Sequence, residues 1–358
     1  MLASHKFHAF YPLMEMIKTA VVGASGYTGM ELLRLLLMHP QAELSCVTSR
    51  QYAGKTLSDI FPRFKNASGS ELPFTDPDAD AIAASGAIVA FLALPHGVAT
   101  SYASKLIERG LKVIDLSADF RISNPEIYAA FYDQPHPDTE LLKEAVYGLP
   151  EVHRNEIRNA RLIASPGCYP TSIELPLIPL LKAKLISHEN IIINSMSGVS
   201  GAGRKADISL SFCECNESVR AYSVPRHRHL SEIEQELSAA AEQDVIVSFT
   251  PHLVPINSGI CTTTSVPLLG DVDSIEETLQ NFFSEEPFVR LLGRGQCPDT
   301  KQVSKTNFVD IGWSYDSRTN RVLLLSAEDN LSKGAGGQAI QSFNIINNLP
   351  ETTGLMNF

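Results

Sequence analysis

The chain has 358 residues, 44% of them hydrophobic and 19% charged, enough for two domains to bury their cores without disulfides or a metal. A formal net charge of -11 argues against a nucleic-acid surface, which needs clustered Lys and Arg, and no apolar run is long enough to cross a bilayer. An anionic small molecule must therefore meet a local basic pocket.

Residues 1–15 have no continuous apolar stretch and no cleavage site of a secretory signal, so they are expected to form a disordered extension outside the fold. Cys46, Cys168, Cys213, Cys215, Cys261 and Cys297 are too sparse for a disulfide scaffold, which points to a reducing cytoplasm. Cys213 and Cys215 are separated by one residue, and no second pair follows at zinc spacing, so no metal is expected.

From residue 17 the pattern becomes strand, glycine turn, helix. Residues 17–22 are an apolar strand, and Gly23-Ala24-Ser25-Gly26-Tyr27-Thr28-Gly29 follows directly. Leu32, Leu33, Leu36 and Leu37 then recur at helical spacing until His39-Pro40 stops the ladder. Such a turn brings backbone amides and a helix N-terminus to a pyrophosphate. The next strand, 43–48, ends at Ser49-Arg50 instead of at a carboxylate. A hydroxyl and a guanidinium suit the 2'-phosphate of NADP(H), the plainer alternative being an exposed strand-end Arg.

Further strands at 88–94 and 112–116 flank a helical stretch at 98–109, which continues the alternation of a doubly wound parallel sheet. Their carboxyl ends place Pro95, His96 and Arg121 on the ligand edge, with Arg121 free to pair with substrate or with Asp119. Strand 161–164 runs into Ser165-Pro166-Gly167-Cys168-Tyr169-Pro170-Thr171. A thiol at that strand-to-helix turn faces free amides and the positive end of a helix dipole, which favours thiolate and makes Cys168 the candidate nucleophile. Pro176 and Pro179 fall in the helix interior and predict a kink or an early break.

Strand 191–194 leads to Ser197-Gly198-Val199-Ser200-Gly201-Ala202-Gly203-Arg204, a loop able to form an amide nest for phosphate, with Arg204 and Lys205 adding charge. His227-Arg228-His229 opens a helix at 230–241, where the two rings are expected to diverge; either can move protons near neutral pH. Strands at 245–251, 259–267, 308–315 and 321–327, with a hairpin turn at 316–320, build an α+β domain on a largely antiparallel sheet. Small residues open the closing helix, 333–347.

Taken together, these motifs resemble the N-acetyl-gamma-glutamyl-phosphate reductase family, a relative of aspartate-semialdehyde dehydrogenase. The resemblance rests on the glycine turn, the Cys168 segment, residues 197–204, His227-Arg228-His229 with Glu232-Ile233, and Glu328-Asp329-Asn330-Leu331 with Lys333-Gly334. It implies an NADP-binding Rossmann domain at 16–165 plus 330–358, and a catalytic and oligomerisation domain at 166–329. It further implies Cys168 as nucleophile, His229 as acid/base, and His227 as a substrate or structural partner. Gly23, Ser25, Gly26, Tyr27, Thr28, Gly29, Ser49, Arg50, Pro95 and Asn330 would hold NADP(H), with Asn330 near the nicotinamide. Arg121, Ser197, Gly198, Ser200, Arg204 and His227 would hold substrate. The implied reaction reduces N-acetyl-glutamyl phosphate to its semialdehyde in arginine biosynthesis, in a homodimer or homotetramer. The alternatives are a reductase of aspartyl or aminoadipyl phosphate, an NADP(H)-sensing protein without catalysis, and a zinc enzyme using Cys213 and Cys215.

Overall fold

Two seven-stranded sheets carry the chain, and the computed structural model describes residues 16–356, so the extension expected at 1–15 lies outside the described residues. The first sheet holds β1 (Ile17–Val22), β2 (Ala42–Thr48), β3 (Phe74–Thr75), β4 (Val89–Leu92), β5 (Lys112–Asp115), β6 (Val146–Tyr147) and β7 (Leu162–Ala164). Its order is β3-β2-β1-β4-β5-β7-β6 and every pairing is parallel. Strand alternation splits its side chains between two cores. Val21, Val89, Phe91 and Ile114 pack with helices Tyr27–Met38 and Gly337–Ile346, while Ala20, Ala90, Leu92 and Val113 face helix Ala99–Glu108. This is the doubly wound Rossmann arrangement expected from the sequence.

The second sheet holds β8 (Ile191–Gly198), β9 (Arg220–Ala221), β10 (Val247–Val254), β11 (Ile260–Pro267), β12 (Val289–Arg294), β13 (Val309–Asp316) and β14 (Arg321–Glu328). It is mixed, in the order β12-β13-β14-β11-β8-β10-β9, with β12–β13 and β8–β10 parallel and the other neighbours antiparallel. Ile191, Ile193, Phe249, Ile260 and Leu324 bury one face under helices Cys168–Lys182, Leu230–Ala241 and Ser274–Phe283. The opposite face leaves Ile192 40% and Met196 49% exposed. No helix among the described residues is long and apolar enough to cross a membrane.

Three expectations are corrected. Helix Cys168–Lys182 runs on through Pro176 and Pro179 without a break. Proline at 176 removes the donor that would serve the Ser172 carbonyl, and Ser326 Oγ on β14 donates to that oxygen instead at 2.6 Å. Every residue from Tyr169 to Leu181 is buried, so packing on all sides keeps the helix continuous. The strand expected at 191–194 continues to Gly198, placing Ser197 and Gly198 in β8 and not in a loop. The closing helix opens as a π turn, Ser332–Gly336, before the regular helix begins.

Candidate active site

The glycine turn is shaped by close approach. Gly23 has φ +84°, and a Cβ there would stand 2.5 Å from the Ala93 carbonyl oxygen; one on Gly29 would meet Ala24 Cα at 2.7 Å. Gly26 caps helix Tyr27–Met38 with no side-chain hydrogen bond, which leaves the first amides of the helix open to an anion. At the end of β2, Ser49 is buried with its Oγ 3.2 Å from Ser25 Oγ, and the exposed Arg50 reaches Tyr102 Oη at 3.5 Å. A cleft of about 350 Å³ opens over this turn and is lined by Gly26, Tyr27, Thr28, Gly29, Pro95, Ser200, Arg204 and Asn330. These residues fit a dinucleotide: free amides for pyrophosphate, and a guanidinium beyond β2 for a 2'-phosphate.

A second cleft of about 440 Å³ is lined by Ser197, Tyr222, His227, Arg220, Arg226 and Arg228 among others. The two clefts meet at Leu116, Arg121, Cys168, Gly201 and His229, which line both. Gly198 lines neither; a Cβ on it would meet Ser258 Cα at 2.8 Å, so it packs against the neighbouring loop. Arg204 Nη1 donates to the Ser25 carbonyl at 3.1 Å, which ties residues 199–204 to the nucleotide turn. Lys205 turns away to Asp207 at 3.5 Å. Asn330 secures the same segment, accepting from Gly259 N at 2.7 Å and donating to Ser200 Oγ at 3.0 Å.

Cys168 is the first residue of its helix, half-buried, after Gly167 as an extended cap. Gly167 N donates to Glu232 Oε1 at 2.7 Å, and Tyr147 Oη donates to the same oxygen at 2.8 Å. Arg121 lies 3.4 Å from Glu232 Oε2 and also donates to the Leu116 carbonyl, so its ion-pair partner is Glu232. Asp119, the partner considered from sequence, instead accepts from Gly97 N, Thr100 N and Thr100 Oγ1. A Cβ on Gly167 would stand 2.6 Å from His229 Nε2; glycine is what lets the imidazole lie against the nucleophile's turn. The two histidine rings converge where divergence was expected: their centroids are 4.8 Å apart and His229 N donates to His227 Nδ1 at 3.1 Å. That backbone-to-ring bond folds His227 back over the helix start.

Electrostatics reverse one more expectation. Burial, reinforced by Glu328, pushes the Cys168 thiol up to about 12, and the nearby Arg121 offsets only part of that. The helix start does not by itself make a thiolate here. Burial and the Arg228 charge bring His227 down to about 4, and burial with His227, Arg121 and Arg228 holds His229 well below the ordinary histidine range. Both imidazoles are neutral at neutral pH and free to accept a proton. Sequence reasoning did not single out Tyr147 as a partner of the site, or the buried pair Lys333–Glu151 at 2.6 Å behind the π turn. It passed over the role of Glu328, although a carboxylate ending the apolar strand β14 was a legible signal.

Comparison with known proteins agrees with this architecture. Residues 18–160 match the family described as semialdehyde dehydrogenase, NAD binding domain, and residues 168–330 match semialdehyde dehydrogenase, dimerisation domain. A protein of Akkermansia muciniphila named N-acetyl-gamma-glutamyl-phosphate reductase is 62% identical over 96% of this chain and 99% of its own length. One of the same name from Acetivibrio thermocellus is 48% identical over 96% and 99%. Among solved structures, aspartate semialdehyde dehydrogenase II of Vibrio cholerae shares the fold at TM-score 0.70 and 18% identity, covering 94% of this chain and 99% of that one. The Candida albicans aspartate semialdehyde dehydrogenase solved with NADP gives TM-score 0.67 at 16% identity, over 93% and 99%. With two thirds or more of the chain matched at these identities, it belongs to the N-acetyl-gamma-glutamyl-phosphate reductase family of the semialdehyde dehydrogenases.

Proposed function

We propose that the chain reduces N-acetyl-γ-glutamyl phosphate to N-acetylglutamate 5-semialdehyde and phosphate, with NADPH as reductant, as a step of arginine biosynthesis. The observation that carries this is the position of Cys168, where a nucleotide cleft and a basic substrate cleft meet. Arg220, Arg226 and Arg228 line the second cleft while donating to neutral acceptors, the carbonyls of Ser209 and Ala130 and the His96 ring, and so keep their charge available for an anionic substrate.

In this reading Cys168 Sγ loses its proton to His229, whose Nε2 abuts the Cys168 turn, and attacks the acyl carbon. The acyl C–O bond breaks, phosphate departs, and a thioester remains on Cys168. The residues lining the first cleft would hold NADPH, which would supply the hydride that reduces the thioester. Collapse of the resulting thiohemiacetal oxyanion returns the electron pair to Sγ, which takes back the proton held by His229, and releases the aldehyde. Glu232 keeps Gly167 N and Arg121 in place during these steps, and Arg121 adds positive charge beside Sγ. Gly23, Ser25, Gly26, Tyr27, Thr28, Gly29, Ser49, Arg50, Pro95 and Asn330 are assigned to the nucleotide, and Arg121, Ser197, Ser200 and His227 to substrate. Arg204, bonded to Ser25, serves the junction between the two.

The same reading divides the chain into a nucleotide domain, 16–165 with 330–358, and a catalytic domain, 166–329. It places the protein in the cytoplasm, where reducing conditions keep Cys168 a free thiol. Cys168→Ser tests the chemistry: phosphate-dependent oxidation of N-acetylglutamate 5-semialdehyde, followed as NADP+ reduction, is expected to fall at least about a thousandfold. NADP+ is expected to outperform NAD+ in the parallel assay. Near-normal turnover of the serine variant overturns the assignment.

A further inference from the structure

Glu328 is a carboxyl that the reaction above does not use. It ends β14, opposite Ile260 and Val309 in the ladder, and none of it reaches solvent. Neither carboxyl oxygen has a hydrogen-bond partner among the described residues. The nearest cation, Lys333, is already committed to Glu151 Oε1 at 2.6 Å and Gln341 Oε1 at 2.9 Å. A Cβ on Gly334 would stand 2.8 Å from Glu328 Oε1 and 2.9 Å from Cys168 Cβ. The carboxyl and the cysteine thus face each other across a bare glycine in the π turn.

We propose that Glu328 is a positioning residue that sets the ionisation of Cys168: carboxyl and thiol hold one negative charge between them, so an ionised Glu328 opposes the thiolate and the thiolate forms only where Glu328 carries a proton. An isolated buried carboxylate costs too much to persist uncompensated, and two buried anions this close cost more. Burial holds the Glu328 carboxyl well above the usual carboxylate range, Lys333 pulls it down, and Asp329 and Glu151 push it up again. Around Cys168 the facing groups are Arg121, which favours the thiolate, and Glu328 and Glu232, which oppose it, with the Tyr169 and Tyr222 hydroxyls and the His229 ring nearby. When Cys168 gives up its proton toward His229, a protonated Glu328 adds no second negative charge beside the thiolate.

This rests on Cys168 being the reacting thiol, but its test does not require turnover. Alkylation of Cys168 by iodoacetamide in the full chain, read by peptide mass, reports the thiolate fraction directly. Glu328→Gln keeps the shape and cannot ionise; at about pH 9 its alkylation rate is expected to rise about tenfold over the unchanged protein, one pH unit of thiol ionisation. Glu328→Met, of similar length and also uncharged, reads the same charge removal if the glutamine does not fold. Glu328→Asp retains an ionisable group and is expected to stay close to the unchanged rate. Equal rates in all four proteins overturn the proposal, as does an aspartate variant that accelerates as much as the glutamine, since that marks a purely structural effect. The turnover assay of Cys168→Ser judges the nucleophile separately.

Discussion

His229 shows how one glycine decides a side chain's chemistry. Its Nε2 lies 2.6 Å from where a Cβ on Gly167 would be, its Nδ1 has no partner among the described residues, and Tyr169 packs edge-on at 5.9 Å. Because burial and three neighbouring bases hold it well below the ordinary range, the neutral, proton-accepting form persists as pH falls past 6.5. The thiol is displaced the other way, up to about 12, so in the free enzyme thiolate becomes more abundant as pH rises. Accordingly kcat/KM should climb steadily from about pH 6 to about pH 9, without a histidine limb near 6.5, and a flat profile across that interval would contradict the thiol displacement. His229→Asn should lower kcat by about 10²–10⁴ while leaving NADP+ binding, measured by fluorescence titration, close to that of the unchanged protein. Loss of nucleotide binding would instead make the ring a structural prop.

At the scale of elements, the helix that begins at Cys168 is helped past Pro176 by a neighbour's hydroxyl. Ser326→Ala removes the donor that replaces the missing Pro176 N–H, leaves the buried Ser172 carbonyl unsatisfied, and should cost about 1–3 kcal/mol in urea unfolding. Adding Pro176→Ala restores a backbone donor and should recover part of that loss; an undiminished deficit in the double variant would show that the hydroxyl acts elsewhere. This compensation explains which parts of the fold were legible. The βαβ order, the glycine turn, the Cys168 turn and the 316–320 hairpin follow from local periodicity and turn chemistry, and these were read correctly. The unbroken Pro176 helix was not, because its support is 154 residues away in sequence. Strands β3, β6 and β9 have two residues each, too few for any alternation to show. Convergence of His227 and His229 depends on a ring accepting from the backbone two residues on, which helical spacing does not encode. The raised thiol depends on β14 and the π turn closing over Cys168, a long-range event that local dipole reasoning missed.

At the scale of the molecule, the second sheet has helices on one face only. Along β8, Ile191, Ile193, Ser195 and Ser197 point inward, while Ile192, Asn194 and Met196 face out. Apolar side chains on a broad strand surface call for a cover, and the homo-oligomer that the sequence resemblance implies would supply one in a second copy of this chain. Ile192→Glu with Met196→Glu should convert the assembly to monomers in sedimentation velocity, and assemblies of unchanged size would place the contact elsewhere. The last described residues have a different destination. Helix Gly337–Ile346 lies against the first sheet, with Phe343 beside Phe91 at 5.8 Å, His39 bonded to Asn344 at 2.9 Å, and Lys112 donating to the Ile346 carbonyl at 2.7 Å. During synthesis β1–β5 therefore leave the ribosome before the helix that supplies one wall of their core. Protease resistance of β1–β5 in stalled nascent chains should appear only once residue 346 is outside, so the half that is made earliest is completed last.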